Sequence, residues 1–302
     1  MTEVAVVGSA NLDLVVEVDT IPLVGETVLG GDLRRIPGGK GANQAVAAAR
    51  LGRGVAMIGR VGDDEGGAIL RAALDADGVD TNHLLTTGAA PNGVALIAVG
   101  SDGDNAIVVS PGANGRVSAA DVDAAGEVLE AAAVTLLQLE VPLDAVAAAA
   151  ARSTGTVILN PAPAPPNALP LELLADVDVL VPNQTELATL AGHAGPVDTT
   201  IAGSLAAQLP SPAVVVTLGA DGALVIRDGV STHVPAPVVT PVDTTAAGDS
   251  FCGALADAIV RGADLVEAAR WAVRVGAATT QRPGAQPSLP TADEVDALLA
   301  DD

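Results

Sequence analysis

The sequence predicts an α/β protein whose central, mostly parallel sheet is covered by helices on both faces. Short runs of continuous apolar residues, such as Val134–Leu137, have the length of strands and alternate with Ala-rich helical stretches such as Leu143–Arg152. Uninterrupted apolar strands are typical of parallel sheets buried on both faces. The 302 residues, 49% of them apolar, suffice for one large domain with an appendage or for two average domains.

The alternation of strand and helix can be followed along the chain. The expected strands are Glu3–Gly8, Gly54–Gly59, Val134–Leu137, Thr156–Leu159, Val177–Val181, Ala213–Thr217 and Ala223–Ile226. The expected helices are Lys40–Leu51, Glu65–Ala76, Leu143–Arg152, Thr185–Ala191, Gly248–Arg261, Asp264–Gly276 and Ala292–Ala300. Strands separated in this way by helices favour a parallel sheet over an antiparallel one.

Two regions, at about 12–36 and 92–109, interrupt this alternation. Both have strand-like patterns with no helix between them, and Ile21–Gly25 and Gly100–Gly103 have the composition of their turns. We expect the two regions to form a small sheet inserted into a single domain that spans 1–302. A small sheet beside a ligand cleft indicates a lid, an interface, or both.

The composition limits the partners and the compartment. The formal net charge is −23, from 14 basic and 37 acidic residues. Since Lys and Arg supply most of the affinity for phosphate backbones, this charge argues against nucleic acid, and equally against anionic membranes. Cys252 is the only cysteine, which fits a reducing setting. No apolar run reaches the roughly 18–20 residues that cross a bilayer, so we expect a soluble, cytoplasmic protein.

A glycine-rich segment, Gly38–Asn43, begins the first long helix and contains Lys40, the only lysine of the chain. Small residues at a helix start let backbone N–H groups approach a ligand. The spacing does not match a P-loop. A simple glycine turn into a helix is the alternative interpretation.

A second segment of small residues, Asp243–Asp249, leads into the helix at Gly248–Arg261. Backbone N–H groups at such a helix start form a site for a phosphate or an oxyanion. Asp249, in the first turn, is a candidate base. It is equally a carboxylate of the kind that stabilises a helix N-terminus by its charge.

Polar residues also follow several expected strands. Asn183 and Glu186 come after Val177–Val181, where an amide and a carboxylate suit a hydrated Mg²⁺, although Asn as N-cap with Glu three residues later is an ordinary helix start. Glu140 follows another apolar run, at the strand end where open α/β sheets bind ligands. Asn11 and Asp13 follow the first strand and could equally form a turn.

A loop and a single cysteine have patterns that are less specific. The loop Thr217–Gly222 lies between two expected strands and could be no more than a hairpin turn. Cys252 follows Phe251 in an apolar helix and is interpreted as a packed thiol rather than a nucleophile. The three histidines show no metal-ligand spacing.

Taken together, seven segments carry a resemblance to a known family. They are Gly8–Asp13, Pro37–Ala45, Leu136–Glu140, Asn160–Ala164, Pro182–Glu186, Asp243–Phe251 and Arg282–Ser288. In this order and spacing the chain resembles the ribokinase (PfkB-type) carbohydrate kinases over essentially its whole length. The resemblance implies a three-layer α/β/α domain with a mostly parallel central sheet and a small β-sheet lid. It also implies ATP-dependent phosphorylation of a sugar, with D-ribose at O5 as the expected reaction, and a homodimer formed through the lid.

The resemblance assigns roles by position. The residues expected to bind the sugar are Asn11, Asp13, Gly39, Lys40, Asn43, Glu140 and Asp249, with Asp249 as base and Ala246, Ala247 and Gly248 as the anion hole. The residues expected at the nucleotide are Asn183, Thr217, Leu218, Gly219, Ala220, Asp221, Gly222, Gly248 and Val273. Glu186, with Asn183, would organise Mg²⁺ through water. The expected K⁺ ligands are Asp243, Thr245, Thr279, Arg282, Gly284 and Ser288, several through backbone carbonyls.

One position departs from the family pattern. The family usually has Asn or His near the adenine where this chain has Val273. A valine offers only apolar contact, which bears on nucleotide affinity and base selectivity.

Other functions stay open at this point. They are a kinase for 2-deoxyribose, a ketohexose or a nucleoside, and a sugar-binding relative without activity. The expected lid has no aromatic residue to stack on a nucleobase, which disfavours a nucleoside. The intact Gly248 and Asp249 disfavour an inactive relative.

Overall fold

The structure, a computed structural model, describes residues 2–102, 104–165 and 167–300. The strands are β1 Val4–Val7, β2 Asn11–Val18, β3 Arg34–Gly38, β4 Val55–Gly62, β5 Leu84–Thr87, β6 Gly93–Gly100, β7 Asn105–Ser110, β8 Val134–Leu137, β9 Thr156–Leu159, β10 Val179–Leu180, β11 Ala213–Thr217, β12 Ala223–Arg227 and β13 Val230–Val234. The α-helices are α1 Lys40–Arg50, α2 Glu65–Ala76, α3 Ala119–Ala124, α4 Gly126–Ala131, α5 Leu143–Arg152, α6 Leu171–Ala175, α7 Gln184–Leu190, α8 Thr199–Ala206, α9 Ala247–Val260, α10 Leu265–Thr279 and α11 Ala292–Leu298.

The central sheet has the order β13-β12-β11-β10-β9-β8-β1-β4-β5 over the described residues. The strands from β5 to β11 pair in parallel, and only β12 and β13 add antiparallel pairs at one edge. The predicted α/β class with a mostly parallel sheet is therefore confirmed.

Successive residues of the central strands pack on opposite faces of the sheet. Val4 and Val6 of β1 point into a core formed with α1, α9 and α10, whereas Ala5 and Val7 point into a second core formed with α5 and α6. Strand side chains alternate between the two faces, so a strand buried on both must be apolar throughout. This burial explains the uninterrupted apolar runs and gives the three-layer α/β/α architecture.

A separate four-stranded sheet has the order β3-β2-β6-β7. Its strands β2 and β6 run in parallel, and β3 and β7 flank them in antiparallel. The regions expected to form a small sheet, at about 12–36 and 92–109, contain these strands. In the expected turn Gly100–Gly103, Gly103 lies outside the described residues.

Most expected elements have the predicted limits within two or three residues, and α2, α5, β8, β9 and β11 match them. The expected strand Val177–Val181 is shorter, since β10 comprises two residues. Val181 still donates its N–H to the Leu159 carbonyl at 2.8 Å, but Pro182 comes next and has no N–H to extend the ladder. The short helices α3, α4, α6 and α8 and the strands β5 and β13 were not predicted.

The parallel arrangement brings distant polar residues to one edge. Strands β1, β8, β9, β10 and β11 all end there, so the residues that follow them are neighbours in space. The carboxyl edge of an open α/β sheet is where ligands bind. Within the described ranges, every helix is too short or too polar to span a bilayer.

Candidate active site

Two adjoining cavities lie at the carboxyl edge of the central sheet. The smaller, of about 230 Å³, is lined by Lys40, Glu186 and Asp249, among others. The larger, of about 530 Å³, extends from α9 towards α10. Both are bounded by Asn183, Thr217, Thr244 and Gly248. The cavities therefore form one continuous cleft that passes over the start of α9.

Helix α9 begins at the centre of this cleft without a side-chain cap. Its N-cap, Ala246, has the left-handed φ of 59°, which is uncommon for a residue with a Cβ. The Ala247 N–H donates to the Thr244 carbonyl at 3.3 Å, and Gly248 is exposed to both cavities. An uncapped helix start of this kind offers backbone donors and positive potential to an anion.

The Asp249 side chain is almost buried, with 7% exposure, yet it reaches the smaller cavity. Its two carboxylate oxygens accept from adjacent residues of α1: Asn43 Nδ2 at 2.9 Å and Gln44 Nε2 at 3.2 Å. A carboxylate held on both oxygens has a defined orientation. The start of α1 and the start of α9 thus meet at this residue.

Three carboxylates and one ammonium group share the sugar-side end of the predicted site. Burial, and then the charges of Glu140 and Asp249, raise the pKa of Asp13 to about 7. Burial opposes the charged form of Lys40, but Asp249, Glu140 and Glu186 outweigh it and raise the pKa of Lys40 above its usual value. Lys40 therefore stays protonated and is a positive charge inside an acidic cluster.

The backbone of the glycine segment fits closely against β1 and β2. Gly39 has φ 90°, and a Cβ there would lie 2.6 Å from the backbone nitrogen of Asn11. Glu140 accepts from Ser9 Oγ at 2.5 Å and from the Lys40 backbone N–H at 3.2 Å. Only glycine permits this approach, which brings the residues expected to bind sugar together.

Asn11 is itself fixed by a neighbour that the sequence did not indicate. Asn114 Nδ2 donates to Asn11 Oδ1 at 2.7 Å, and Asn114 Oδ1 accepts from the Ala10 N–H at 3.0 Å. With its oxygen engaged, the amide of Asn11 presents its NH₂ group as a hydrogen-bond donor.

The larger cavity is mostly apolar. Val273, Phe251 and Ala277 line it from the helices, and Ala236–Val239 from the opposite side. Thr217, Gly219, Ala220 and Gly222 of the predicted nucleotide loop also line it. A cavity lined mainly by apolar side chains with a few polar groups is typical of small-molecule sites.

Two members of the predicted nucleotide set stand apart from this lining. Leu218 is buried in the core beneath the loop, and its N–H donates to the Gly222 carbonyl at 2.8 Å. The Asp221 N–H donates to the Leu218 carbonyl at 3.2 Å. Their part in nucleotide binding stays a prediction, and the Leu218 side chain faces the core rather than the cleft.

Asn183 and Glu186 form a capping box at the start of α7. Asn183 Oδ1 accepts from the Glu186 N–H and Glu186 Oε2 from the Asn183 N–H, each at 2.8 Å. Both residues also line the cleft, and burial raises the pKa of Glu186 against the opposing effects of Asn183 and Lys40. The ordinary helix start and the cleft position therefore coexist. A carboxylate and an amide oxygen are ligands that suit Mg²⁺ and its waters.

The residues predicted to bind K⁺ lie in two loops that Asp243 joins. Its carboxylate accepts from the Thr245 N–H at 2.8 Å and the Gly284 N–H at 2.7 Å. Burial opposes ionisation, but these hydrogen bonds outweigh it and hold the pKa of Asp243 below its usual value. The loops therefore stay together close to the start of α9.

The remaining members of that set use their side chains within the protein. Thr279 Oγ1 contacts Ser250 Oγ and the Val275 carbonyl, each at 2.9 Å. Ser288 Oγ donates to the Ala285 carbonyl at 2.7 Å, and Arg282 pairs with Glu294 at 2.8 Å. With these side chains engaged, any monovalent cation at these residues would have to be held largely by backbone carbonyls, and K⁺ binding here stays a prediction.

The structure adds polar residues to the site that sequence reasoning missed. Gln44, Gln138 and Asn160 form hydrogen bonds beside Asp249, and Asn160 lines the smaller cavity. Their positions in the sequence could have indicated them as site residues, because Gln44 follows Asn43 directly and Gln138 and Asn160 follow strands that end at the carboxyl edge of the sheet. Cys252 lines the same cavity but is 1% exposed, and burial raises its pKa well above the usual value, which fits a packed thiol.

A buried carboxylate at an uncapped helix start, in a cleft at the carboxyl edge of a parallel sheet, defines a site suited to transferring an anionic group to a hydroxyl. The sequence model of the family described as "pfkB family carbohydrate kinase" matches residues 1–292. The chain belongs to this family, and the predicted resemblance is confirmed.

Individual relatives are similar over nearly their whole length. The ribokinase of Bacillus subtilis (strain 168) is 39% identical over 303 residues, which cover 99% of this chain and 100% of that protein. The deoxyribokinase of Salmonella typhi is 37% identical over 306 residues, covering 99% of each. The structure of Arabidopsis thaliana ribokinase complexed with ribose and ATP matches with a TM-score of 0.89 at 33% identity, covering 99% of both chains.

Proposed function

We propose that this protein transfers the γ-phosphoryl group of ATP to O5 of D-ribose, giving ribose 5-phosphate and ADP. The observation that carries the proposal is Asp249, held by two amides at the uncapped start of α9 between two adjoining cavities. The similarity to ribokinases over the full length supports ribose and ATP as the substrates.

The chemistry follows from the arrangement of these groups. Asp249 takes the proton of the sugar hydroxyl as its oxygen attacks phosphorus, and the leaving oxygen remains on ADP. A positioned base contributes roughly 10²–10⁴-fold to the rate. The backbone donors of Ala246, Ala247 and Gly248 stabilise the charge on the transferred group, and each such donor is worth about 3–4 kcal/mol.

The sugar and the nucleotide take opposite ends of the cleft. Asn11, Asp13, Gly39, Lys40, Asn43 and Glu140 bind the sugar hydroxyls in this proposal, and the protonated Lys40 attracts the phosphates. The nucleobase occupies the apolar cavity beside Val273, with the loop Thr217–Gly222 along its edge. Contact with Val273 is apolar, so the base is held there mainly by shape.

Two cations complete the proposal. Glu186 and Asn183 would hold Mg²⁺ through water, and Asp243, Thr245, Thr279, Arg282, Gly284 and Ser288 would surround K⁺. When bound, Mg²⁺ would neutralise phosphate charge, and K⁺ would add positive potential to the site. The chain's own residues then position the hydroxyl, accept its proton and hold the anion.

The four-stranded sheet is proposed to act as a lid and as the interface of a homodimer. Its side chains Leu96, Ile107, Val108 and Val109 are apolar and about half exposed or more. Exposed apolar groups clustered on a sheet are typical of an interaction surface. The cytoplasm remains the predicted location, on the grounds of the single cysteine.

The relatives also favour a second candidate substrate. The similarity to a deoxyribokinase is close to the similarity to ribokinases, so 2-deoxyribose is the alternative sugar of the same reaction. The proposed catalytic groups would serve either sugar, because O5 is common to both.

An ADP-release assay tests the proposal. The assay compares a panel of pentoses, hexoses and nucleosides with ATP, and we expect the highest activity with D-ribose. That activity should be higher in K⁺ than in Na⁺. Asp249→Asn should lower kcat by roughly 10²–10⁴-fold. The exposed Asp176→Asn is the control and should retain the wild-type rate. Retention of more than about a tenth of the rate by Asp249→Asn would contradict its role as base, and ribose binding without ADP release would indicate an inactive relative.

A further inference from the structure

A chain of buried amides leads from the Asp249 carboxylate into the sheet. Gln44 Nε2 donates both to Asp249 Oδ1 at 3.2 Å and to Asn160 Oδ1 at 3.3 Å. Asn160 Nδ2 donates to the Val181 carbonyl at 2.9 Å, and Gln138 Nε2 donates to Gln44 Oε1 at 2.6 Å. Gln44 and Gln138 are both 0% exposed. Both N–H groups and the oxygen of the Gln44 amide therefore have partners inside the protein.

The chemistry of the partners fixes which end of each amide faces which neighbour. The Val181 carbonyl can only accept, so Asn160 turns its nitrogen to that carbonyl and its oxygen to Gln44. A carboxylate can likewise only accept, so Gln44 turns its nitrogen to Asp249 and Asn160. The oxygen of Gln44 then needs a donor, and Gln138 supplies it. The orientation of these amides is therefore fixed by the two groups at the ends of the hydrogen-bonded series, the Val181 carbonyl and the Asp249 carboxylate.

Gln138 keeps this contact although its own oxygen has no partner. Its Oε1 is buried and, among the described residues, makes no hydrogen bond. A Cβ on Gly8 would collide with that oxygen, so a glycine at this point gives Gln138 its space. Buried polar atoms are nearly always satisfied, and an exception requires a reason. The reason here is the nitrogen of the same amide, which donates to Gln44 and orients it.

We infer that Gln44 and Gln138 are positioning residues for the transfer step, with Gln138 acting through Gln44. Gln44 holds one oxygen of Asp249 while Asn43 holds the other, so the carboxylate cannot rotate away from the sugar hydroxyl. Among the described residues, Gln138 lines neither cavity and makes no hydrogen bond to Asp249; it acts by keeping the Gln44 nitrogen turned towards the carboxylate. This inference rests on the proposed role of Asp249 as base.

The test compares Gln44→Met, Gln138→Met and the double variant with the wild type. Methionine keeps the length and volume of glutamine but has no amide. We expect kcat to fall roughly tenfold or more in each single variant, as a hydrogen bond to a charged group is lost or misdirected. The KM values for ribose and ATP should change by no more than about threefold. Because Gln138 acts through Gln44, the double variant should be no slower than Gln44→Met.

A matched control removes another buried polar group near the same strand. Thr135, 0% exposed on β8, has its hydroxyl bonded to Ser153 Oγ at 2.8 Å, and Thr135→Val should leave kcat unchanged. Thermal unfolding of every variant separates loss of fold from loss of rate. If Gln138→Met does not fold, the positioning role is tested by the kcat of Gln44→Met alone, and a wild-type value contradicts it.

Three outcomes overturn the inference while leaving the proposed function intact. They are a wild-type kcat in a folded Gln44→Met or Gln138→Met, losses that multiply in the double variant, and a change confined to KM. Multiplying losses would mean that each residue acts separately on the structure. An active Asp249→Asn, by contrast, would overturn the base itself, so the two failures are distinguishable.

Discussion

At the scale of single residues, the site separates carboxylates of the same chemistry by their surroundings. Asp249 is held by two amide donors, Glu140 by a serine hydroxyl and the Lys40 N–H, and Asp13 lies buried beside both. Carboxyl groups whose environments differ can take different roles in one reaction. Under the proposed function, Asp249 would accept the proton of the sugar hydroxyl, and Asp13 would bind the sugar in a pH-dependent way.

Asp13→Asn tests the cost of that buried carboxyl. Because the folded state raises the pKa of Asp13 to about 7, it binds the proton more tightly than the unfolded chain does. Asp13 therefore lowers the free energy of unfolding as the pH rises. This destabilisation is absent below about pH 4 and complete above about pH 7. Asp13→Asn should therefore stabilise the protein, on the order of 1–4 kcal/mol at about pH 8 and less at about pH 5.5.

Urea unfolding of both proteins at the two pH values measures this difference, with the exposed Asp176→Asn as control. The same Asp13→Asn change should raise the KM for ribose, since the amide has one acceptor oxygen where the carboxylate has two, and it carries no negative charge. A stability gain that is equal at both pH values would contradict the raised pKa.

At the scale of elements, two of the helices that begin at the site, α1 and α9, have no side-chain cap. Helix α1 follows Gly39 at φ 90°, and α9 follows Ala246 at φ 59°. The helices also pack closely against each other, because a Cβ on Gly253 of α9 would lie 2.6 Å from Ala47 Cβ of α1. Close packing fixes the two helix starts, and hence Asn43 and Asp249, relative to each other.

Alanine should therefore have opposite effects at the two glycines of α9: a loss of activity at Gly248 and a loss of stability at Gly253. Apart from its chain neighbours and the backbone of α9, a Cβ on Gly248 would meet no atom of the described residues within 4 Å, and Gly248 lines the cleft. Gly248→Ala should fold with unchanged or slightly higher stability, up to about 1 kcal/mol, but lose roughly 10–100-fold in kcat/KM for ATP.

Gly253→Ala is the matched contrast in the same helix. Overpacking against α1 should cost about 1–3 kcal/mol, seen as a lower Tm. Thermal unfolding and steady-state kinetics on both variants distinguish the two glycines. If Gly248→Ala destabilised the protein and kept its ATP kinetics, the anion would not approach the start of α9.

At the scale of the whole molecule, local patterns predicted much of the fold and only part of the site. The apolar runs fixed the parallel sheet because burial on both faces leaves little other choice of residue. The segments containing Lys40 and Asp249 were visible because their glycines and alanines are close in sequence. Gln44 and Gln138 are 94 residues apart, and Gln44 and Asn160 are 116 apart, so only the sheet order brings them together.

The negative net charge of the molecule opposes the approach of ATP, its proposed nucleotide. A chain with formal charge −23 repels ATP at long range, whereas the start of α9 and Lys40 attract it only within the cleft. Raising the ionic strength from about 0.01 M to about 0.1 M shortens the screening length from about 30 Å to about 10 Å, which removes the long-range repulsion first. The KM for ATP should therefore fall severalfold over this range.

Initial rates at fixed K⁺ and saturating Mg²⁺, with the ionic strength set by tetramethylammonium chloride, measure this effect. Ribose is uncharged, so its KM is the internal control and should stay constant. A KM for ATP that rises with salt would mean that local attraction dominates the approach. In that case the uncapped start of α9 and the single lysine would govern ATP encounter as well as binding, against the charge of the rest of the chain.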